Sequence, residues 1–213
     1  MPNPESAKER YLFEALKLFG ERGYASVRMT DLAKAVGCVP SALYKHYESK
    51  QELYDTIIAE SVRGFDAGME RMRVDFGKHP EQKEKYIAMT EDEQIQMVKD
   101  LFLYTLHNEW VAAFRKLMTV EQFKDKTLAR MYDDRYVRFQ YEQHAALFQI
   151  LMDAGKLKRA DPYTLAVLYI SPMTVFIGMC DRDPEQEELA LRLIENHVRE
   201  FNKTYRIYRK ARN

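Results

Sequence analysis

Residues 35–53 read AVGCVPSALYKHYESKQEL. Gly37 is a helix-stop signal, because the left-handed residue that follows a helix costs least at glycine. Pro40 starts a new helix almost at once; at a first helical position its missing N–H costs nothing, since that N–H has no partner in the helix. Ser49 and Glu52 form a capping box that opens a third helix. The spacing predicts a short helix over about 40–46, fenced by a glycine turn and a capped long helix. Ala42 and Leu43 point inward and Tyr47 packs at the end. The outer face is polar, aromatic and positively charged.

Two helices joined by a short glycine-containing turn make a helix-turn-helix. The partner helix is expected over about 28–36, with Leu32, Ala33 and Val36 inward and Ser26 as its N-cap. The first helix opens on the capping box Ser6–Glu9, buries Leu12, Ala15, Leu16 and Phe19 at helical spacing, and ends at Gly23. In such a unit the second helix lies in the DNA major groove with its N-terminal residues nearest the base edges. Ser41 and Lys45 then suit hydrogen bonding to bases, and Pro40 suits apolar contact with a thymine methyl. Tyr44 and His46 suit phosphate oxygens, and Lys50 adds a charge at the next helix start.

The segment LFGERGYASVRMTDLAKAVGCVPSALYKHYESKQELY closely resembles the DNA-binding segment of the TetR family of bacterial transcriptional regulators. The resemblance rests on the Phe-x-x-x-Gly-Tyr end of the first helix, Asp31-Leu32-Ala33, Gly37, Leu43-Tyr44-x-His46-Tyr47 and Lys50-x-x-Leu53. It covers about the first quarter of the chain. It implies phosphate contacts from Tyr44, His46 and Lys50, and groove-facing positions at Thr30, Pro40, Ser41 and Lys45; Arg28 and Val39 complete the expected DNA-contact set. Val27 and Val39 depart from the Thr and Ser or Thr common in the family. Because Val39 cannot hydrogen-bond through its side chain, specificity there is expected to lean on thymine methyls.

The rest of the 213-residue chain fits such a protein. Apolar residues make up 46% of it, enough for a sizeable core, and helix formers dominate. Formal net charge is zero, which taken alone disfavours a nucleic-acid partner. Residues 1–50, however, carry eight Lys and Arg against six Asp and Glu, a net of +2. Cys38 and Cys180 form no Cys-x-x-Cys or Cys/His cluster, so neither a disulfide nor a zinc site is expected. A signal peptide, a membrane span, a metal site, a cofactor and an enzymatic motif are likewise not expected, and the location expected is cytoplasmic.

Downstream, the long helix opening at Ser49 shows the stripe Leu53, Ile57, Ser61, Phe65, Met69, Met72 and Phe76, and GKHPEQ breaks it. A short helix follows near 81–89. The capping box Thr90–Glu93 leads into Ile95, Val98, Leu101 and Phe102, and HNEW reads as a bend. A long helix covers about 127–154. Asp161-Pro162 and Asp183-Pro184 start two final helices, about 162–180 and 184–209, the first with Pro172 inside it. Their stripes are Leu165, Leu168, Tyr169, Met173, Phe176 and Ile177, then Leu189, Leu193, Val198, Phe201 and Tyr205.

The expected fold is all-α with about nine helices: a helix-turn-helix domain over 1–48, a connecting helix over 49–76, and a helical ligand-binding and dimerisation domain over 77–213. The resemblance implies a homodimer paired through residues about 162–209, acting on a double-stranded palindromic operator and released by a small-molecule effector. Aromatic and methionine residues of the middle helices suggest an apolar pocket lined by Phe102, His107, Trp110, Phe114, Met118, Tyr136, Phe139 and Phe176. The alternative is a helical small-molecule binder or enzyme with a vestigial helix-turn-helix.

Overall fold

A computed structural model of the chain describes residues 7–72 and 82–208. The expected cap Ser6, Phe76 at the far end of the connecting-helix stripe and nearly all of the GKHPEQ break lie outside the described residues. The described residues are helical almost throughout and contain no strand. Eleven helical segments follow in order: α1 (Ala7–Arg22), α2 (Met29–Ala35), α3 (Pro40–Tyr44), α4 (Lys50–Met72), α5 (Gln82–Ala88), α6 (Glu91–His107), α7 (Glu109–Glu121), α8 (Lys126–Tyr132), α9 (Phe139–Asp153), α10 (Pro162–Arg182) and α11 (Glu187–Tyr205). A π-helical stretch, Asp133–Arg138, joins α8 to α9, so these form one long helix as the sequence predicts.

Ten continuous helices therefore stand where about nine were expected. HNEW is a full break and not a bend, because Asn108 takes extended backbone and its side chain accepts the Val111 N–H at 3.0 Å. The other signals hold. Glu93 and Thr90 cap each other, with Thr90 N–H donating to the carboxylate at 2.8 Å, and those bonds draw the Glu93 pKa down. Asp161 accepts the Thr164 N–H at 2.7 Å. Asp183 caps a 3-10 turn, Pro184–Gln186, from which α11 continues. α11 ends at Tyr205, short of 209, because Leu157 and Arg206 form an isolated antiparallel bridge: Ile207 N–H donates to Lys156 O at 2.8 Å and draws the chain into extended form.

The chain packs as two compact units. One takes the chain to Gly68 together with His107–Asp133; the other takes Met69–Leu106 with the chain from Asp134 onward. This grouping by packing joins α7 and α8 to the N-terminal helices, which the division at 48 and 76 did not anticipate.

In the first unit, Leu12, Ala15, Leu16 and Phe19 of α1 are all buried, as their spacing requires. Leu32 and Ala33 of α2, Leu43 of α3 and Leu53 and Ile57 of α4 are buried too, and α7 crosses α1 closely. Gly20 makes the crossing possible: a Cβ there would stand 3.0 Å from the Ala113 carbonyl oxygen. Trp110 of α7 stacks on Phe13 of α1 at 5.8 Å, and its indole N–H donates to the buried Ser61 hydroxyl of α4 at 3.2 Å.

The second unit has one core of Ile95, Phe148, Met152, Leu165, Tyr169, Val198 and Phe201 and another of Phe102, Cys180, Ala190 and Ile194. Its buried polar atoms are paired in a chain. Asn202 donates to Gln94 at 2.9 Å, Gln94 donates to the Tyr169 hydroxyl at 3.0 Å, and a His197 ring nitrogen meets the Tyr169 carbonyl at 2.9 Å. In α11 the expected stripe is rotated by one position at its start. Ala190 and Ile194 are buried and Leu189 is exposed, because the small Ala190 lets α11 approach its neighbours.

α10 is the exception to core logic. Leu168 is 50% and Val175 64% exposed, and they line an open groove of about 450 Å³ with Val167, Ser171, Pro172 and Phe176. By length and composition alone α10 could cross a membrane: its most apolar window has a mean hydropathy of 1.6 and is only 22% buried. No unbroken apolar run marks it in the sequence, because Thr164, Ser171 and Thr174 interrupt the helix without adding charge.

Candidate nucleic-acid interface

α2 ends in a complete glycine-based C-cap. Gly37 takes φ +72°, its N–H donates to Lys34 O at 3.2 Å, and the Cys38 N–H reaches back to Ala33 O at 2.9 Å. A Cβ at Gly37 would meet nothing within 4 Å, so the glycine is there for its backbone and not for space. Contrary to expectation, Ser26 does not cap α2. It lies in a 3-10 turn, Tyr24–Ser26, and the N-cap is Arg28, whose backbone N–H donates to the Asp31 carboxylate at 2.8 Å. The turn fills the residues between Gly23 and Arg28 that a longer α2 would have needed.

α3 is shorter than the sequence predicts, ending at Tyr44 rather than His46, with Lys45 as its C-cap. Leu43 is its one buried residue. Val39 is its N-cap, in extended backbone and without a side-chain capping bond. Behind α3, the Ser49 hydroxyl accepts the Glu52 N–H at 3.0 Å, and the Glu52 carboxylate accepts the Glu48 N–H at 2.6 Å. The helix is thus held from both sides, and its own outer face is free of packing duty.

That face carries most of the expected contact residues. Val39 is 63% exposed and Tyr44 49%, while Arg28, Thr30, Ser41, Lys45 and His46 are exposed and Pro40 is half-buried. The His46 ring packs edge-on to Tyr11 of α1 at 5.3 Å, which orients it without burying it. Tyr47 is buried in the core, as expected for a packing residue. Burial first, and then the carboxylates of Glu52 and Glu60, push its phenol up to about 12. Cys38 is half-buried and carries no disulfide.

Lys50 behaves differently. Its ammonium donates to the carbonyl oxygens of Tyr24 and Val27, both at 2.9 Å, and stands 4.1 Å from the centre of the Tyr24 ring. Tyr24 is held from two further sides, by Gln51 and by Glu121, which local patterns do not single out. The Tyr24 hydroxyl donates to Gln51 at 2.8 Å, and its backbone N–H donates to the buried Glu121 carboxylate of α7 at 3.0 Å. Burial, with the Asp55 charge behind it, raises the Tyr24 pKa. The Tyr24–Glu121 contact joins residues 97 apart in the chain, so no spacing rule could have found it.

The eight expected pocket residues divide between the two units. His107, Trp110, Phe114 and Met118 belong to the first, and Phe102, Tyr136, Phe139 and Phe176 to the second. Phe114 and Met118 are buried on α7, and Phe102 is in the second unit's core. His107 is exposed, and Phe176 lines the α10 groove. Among the described residues, no group of three or more His, Cys, Asp or Glu stands close enough to hold a metal ion.

Residues 12–57 match the family model for bacterial regulatory proteins of the TetR family. The biofilm-operon negative transcriptional regulator IcaR of Staphylococcus epidermidis is 36% identical over 47 residues, which are 22% of this chain and 25% of that protein. The chain thus spans about a quarter of the length of the curated relatives it matches. Structural likeness extends much further. A TetR-family regulator from Mesorhizobium loti superposes with a TM-score of 0.62 at 19% identity, over 96% of this chain and all of that one. A transcriptional regulator from Saccharomonospora viridis, solved with choline, gives 0.59 at 20% identity over 92% and 95%. Residues 12–57 thus match the TetR-family DNA-binding domain, and the whole chain shares the fold of solved regulators of that kind.

Proposed function

We propose that the protein is a DNA-binding transcriptional regulator, acting as a homodimer on a palindromic operator and released by a small-molecule effector. The observation that carries the reading is α3: a helix with one buried residue, set between the Gly37 turn and the capped start of α4, with Ser41 and Tyr44 on its outer face and Lys45 and His46 exposed just past its end. Exposed polar residues on so short a helix add nothing to the fold, whereas they suit the edges and phosphates of a major groove. Arg28 and Thr30 at the start of α2 extend the same contact set, and Val39 and Pro40 supply its apolar end.

By role, residues 1–48 read DNA, 49–76 connect, and 77–213 bind effector and pair the subunits. The pairing surface is the α10–α11 region, about 162–209. Support comes from the exposed apolar groove of α10, which water solvates poorly and a second copy would cover. Effector control is supported by the choline complex of the S. viridis protein of the same fold. Repression, in a cytoplasmic setting, is supported by the negative regulators that match its DNA-binding domain.

Selection from a random duplex library tests the reading. The expected product is an inverted repeat whose half-sites lie about one helical turn apart, roughly 34–36 Å. Absence of any enriched sequence at low salt contradicts it. An effector, sought by thermal shift, is expected to raise the melting temperature and to weaken operator binding in the same molecule.

A further inference from the structure

We infer that Lys50 and Glu121 are positioning residues for the DNA-reading helices, clamping the two polar ends of the Tyr24 residue between α4 and α7. This rests on the DNA-binding reading. Glu121, only 5% exposed at the end of α7, accepts the Tyr24 N–H at 3.0 Å and the Lys124 ammonium at 3.1 Å through one oxygen. Lys50, at the start of α4, donates to Tyr24 O and Val27 O. The turn that these groups fix runs directly into Arg28, the N-cap of α2. Its position sets where α2 begins, and α2 and α3 pack together as one piece.

Gly23 belongs to the same device for two reasons. Its φ is +77°, and a Cβ there would stand 2.9 Å from the Glu121 oxygen. The ammonium of Lys50 has three N–H groups. Two of them hold the Tyr24 and Val27 carbonyl oxygens, so removing the ammonium releases both. A buried carboxylate that lost the Tyr24 N–H would likewise be left under-satisfied.

The test uses the full chain and four variants: Lys50→Met, Glu121→Ala, Glu121→Gln and Lys45→Met. Hydrogen exchange without DNA is read at residues 24–27. Lys50→Met and Glu121→Ala are expected to speed exchange there about tenfold. Glu121→Gln, whose amide oxygen still accepts the N–H, and Lys45→Met are expected to leave it unchanged. Binding to a random-sequence duplex of about 30 base pairs is then followed from about 50 to about 200 mM KCl. Lys45→Met is expected to flatten the salt dependence by about 0.9 per subunit. Lys50→Met and Glu121→Ala are expected to weaken binding, Glu121→Ala by the same factor at every salt concentration because it removes no cation. Wild-type affinity of Glu121→Ala overturns the inference, as does unchanged exchange in either clamp variant. If the wild type binds no duplex even at the lowest salt, the DNA-binding reading fails, and the exchange measurement still decides the clamp.

Discussion

α3 and α10 are both helices that leave much of their surface uncovered, and they do so with opposite chemistry. α3 has five residues, one of them buried, and shows the solvent the Ser41 hydroxyl and the Tyr44 phenol, with the Lys45 ammonium and the His46 imidazole exposed just past its end. α10 has 21 residues and shows Leu168, Val175 and the rest of an apolar groove. A polar exposed helix costs nothing in water and is tolerated for what it touches. An apolar one costs about 25 cal/mol for every Å² left wet, and is retained where another surface covers it. On the proposed reading, this difference suits the first helix to DNA and the second to another copy of the chain. It also explains why the two need different framing: α3 is held by caps and turns, α10 by the core on its other side.

The comparison breaks most severely if its frame is removed. Phe19 is fully buried and packs against Tyr24 and Tyr54. Phe19→Ala is expected to cost about 3–5 kcal/mol and abolish DNA binding, read by chemical denaturation and gel shift. On the other helix, Leu168→Glu with Val175→Glu is expected to convert dimer to monomer in sedimentation velocity. Operator affinity should then fall roughly 100-fold, since two charges cannot be buried unpaired. If the variant stays dimeric, the pairing surface lies elsewhere.

A third, smaller effect sharpens the contrast between the units. His144 sits against Phe148 and Tyr169, and burial holds its pKa below the ordinary 6.5 even though Gln140 O accepts from the ring. The unfolded chain therefore binds this proton more readily than the folded one. The contribution to stability is complete above about pH 6.5 and is lost as pH falls through that value toward the folded pKa. Melting curves between neutral and mildly acidic pH should show this loss, and His144→Phe should reduce it. The smallest effect is at the turn. Gly37→Ala is expected to destabilise by about 1 kcal/mol through its left-handed backbone alone, and Gly37→Asn by less. Equal stability of all three would show that the glycine serves some other purpose.

The N-terminal helices were legible because each signal there is local. Gly23, Gly37 and Pro40 act on their own or adjacent turns, as Thr90 and Asp161 do farther along the chain, and the stripe from Leu12 to Phe19 states its buried face outright. The second helix lost its expected cap because the choice between Ser26 and Arg28 depends on the intervening 3-10 turn. That turn is held from Lys50 and Glu121, the latter far away in the chain. The partners of Lys50 were hidden for the same reason: sequence shows a cation near a helix start, and only the fold shows that it meets the Tyr24 and Val27 carbonyl oxygens. The eight aromatic and methionine residues nominated for a pocket share a composition but not a unit, because composition carries no information about which faces converge.

The central claim is that the outer face of α3 meets DNA phosphates and bases. It is tested most directly by the salt dependence of binding to the selected duplex, with wild type compared against a Tyr44→Phe, Lys45→Met, His46→Gln variant. None of these side chains is buried, so the variant should melt as the wild type does. The account predicts weaker binding and a log–log salt slope shallower by about 0.9 for each phosphate that the variant no longer neutralises. Wild-type affinity and slope in the folded variant would contradict it.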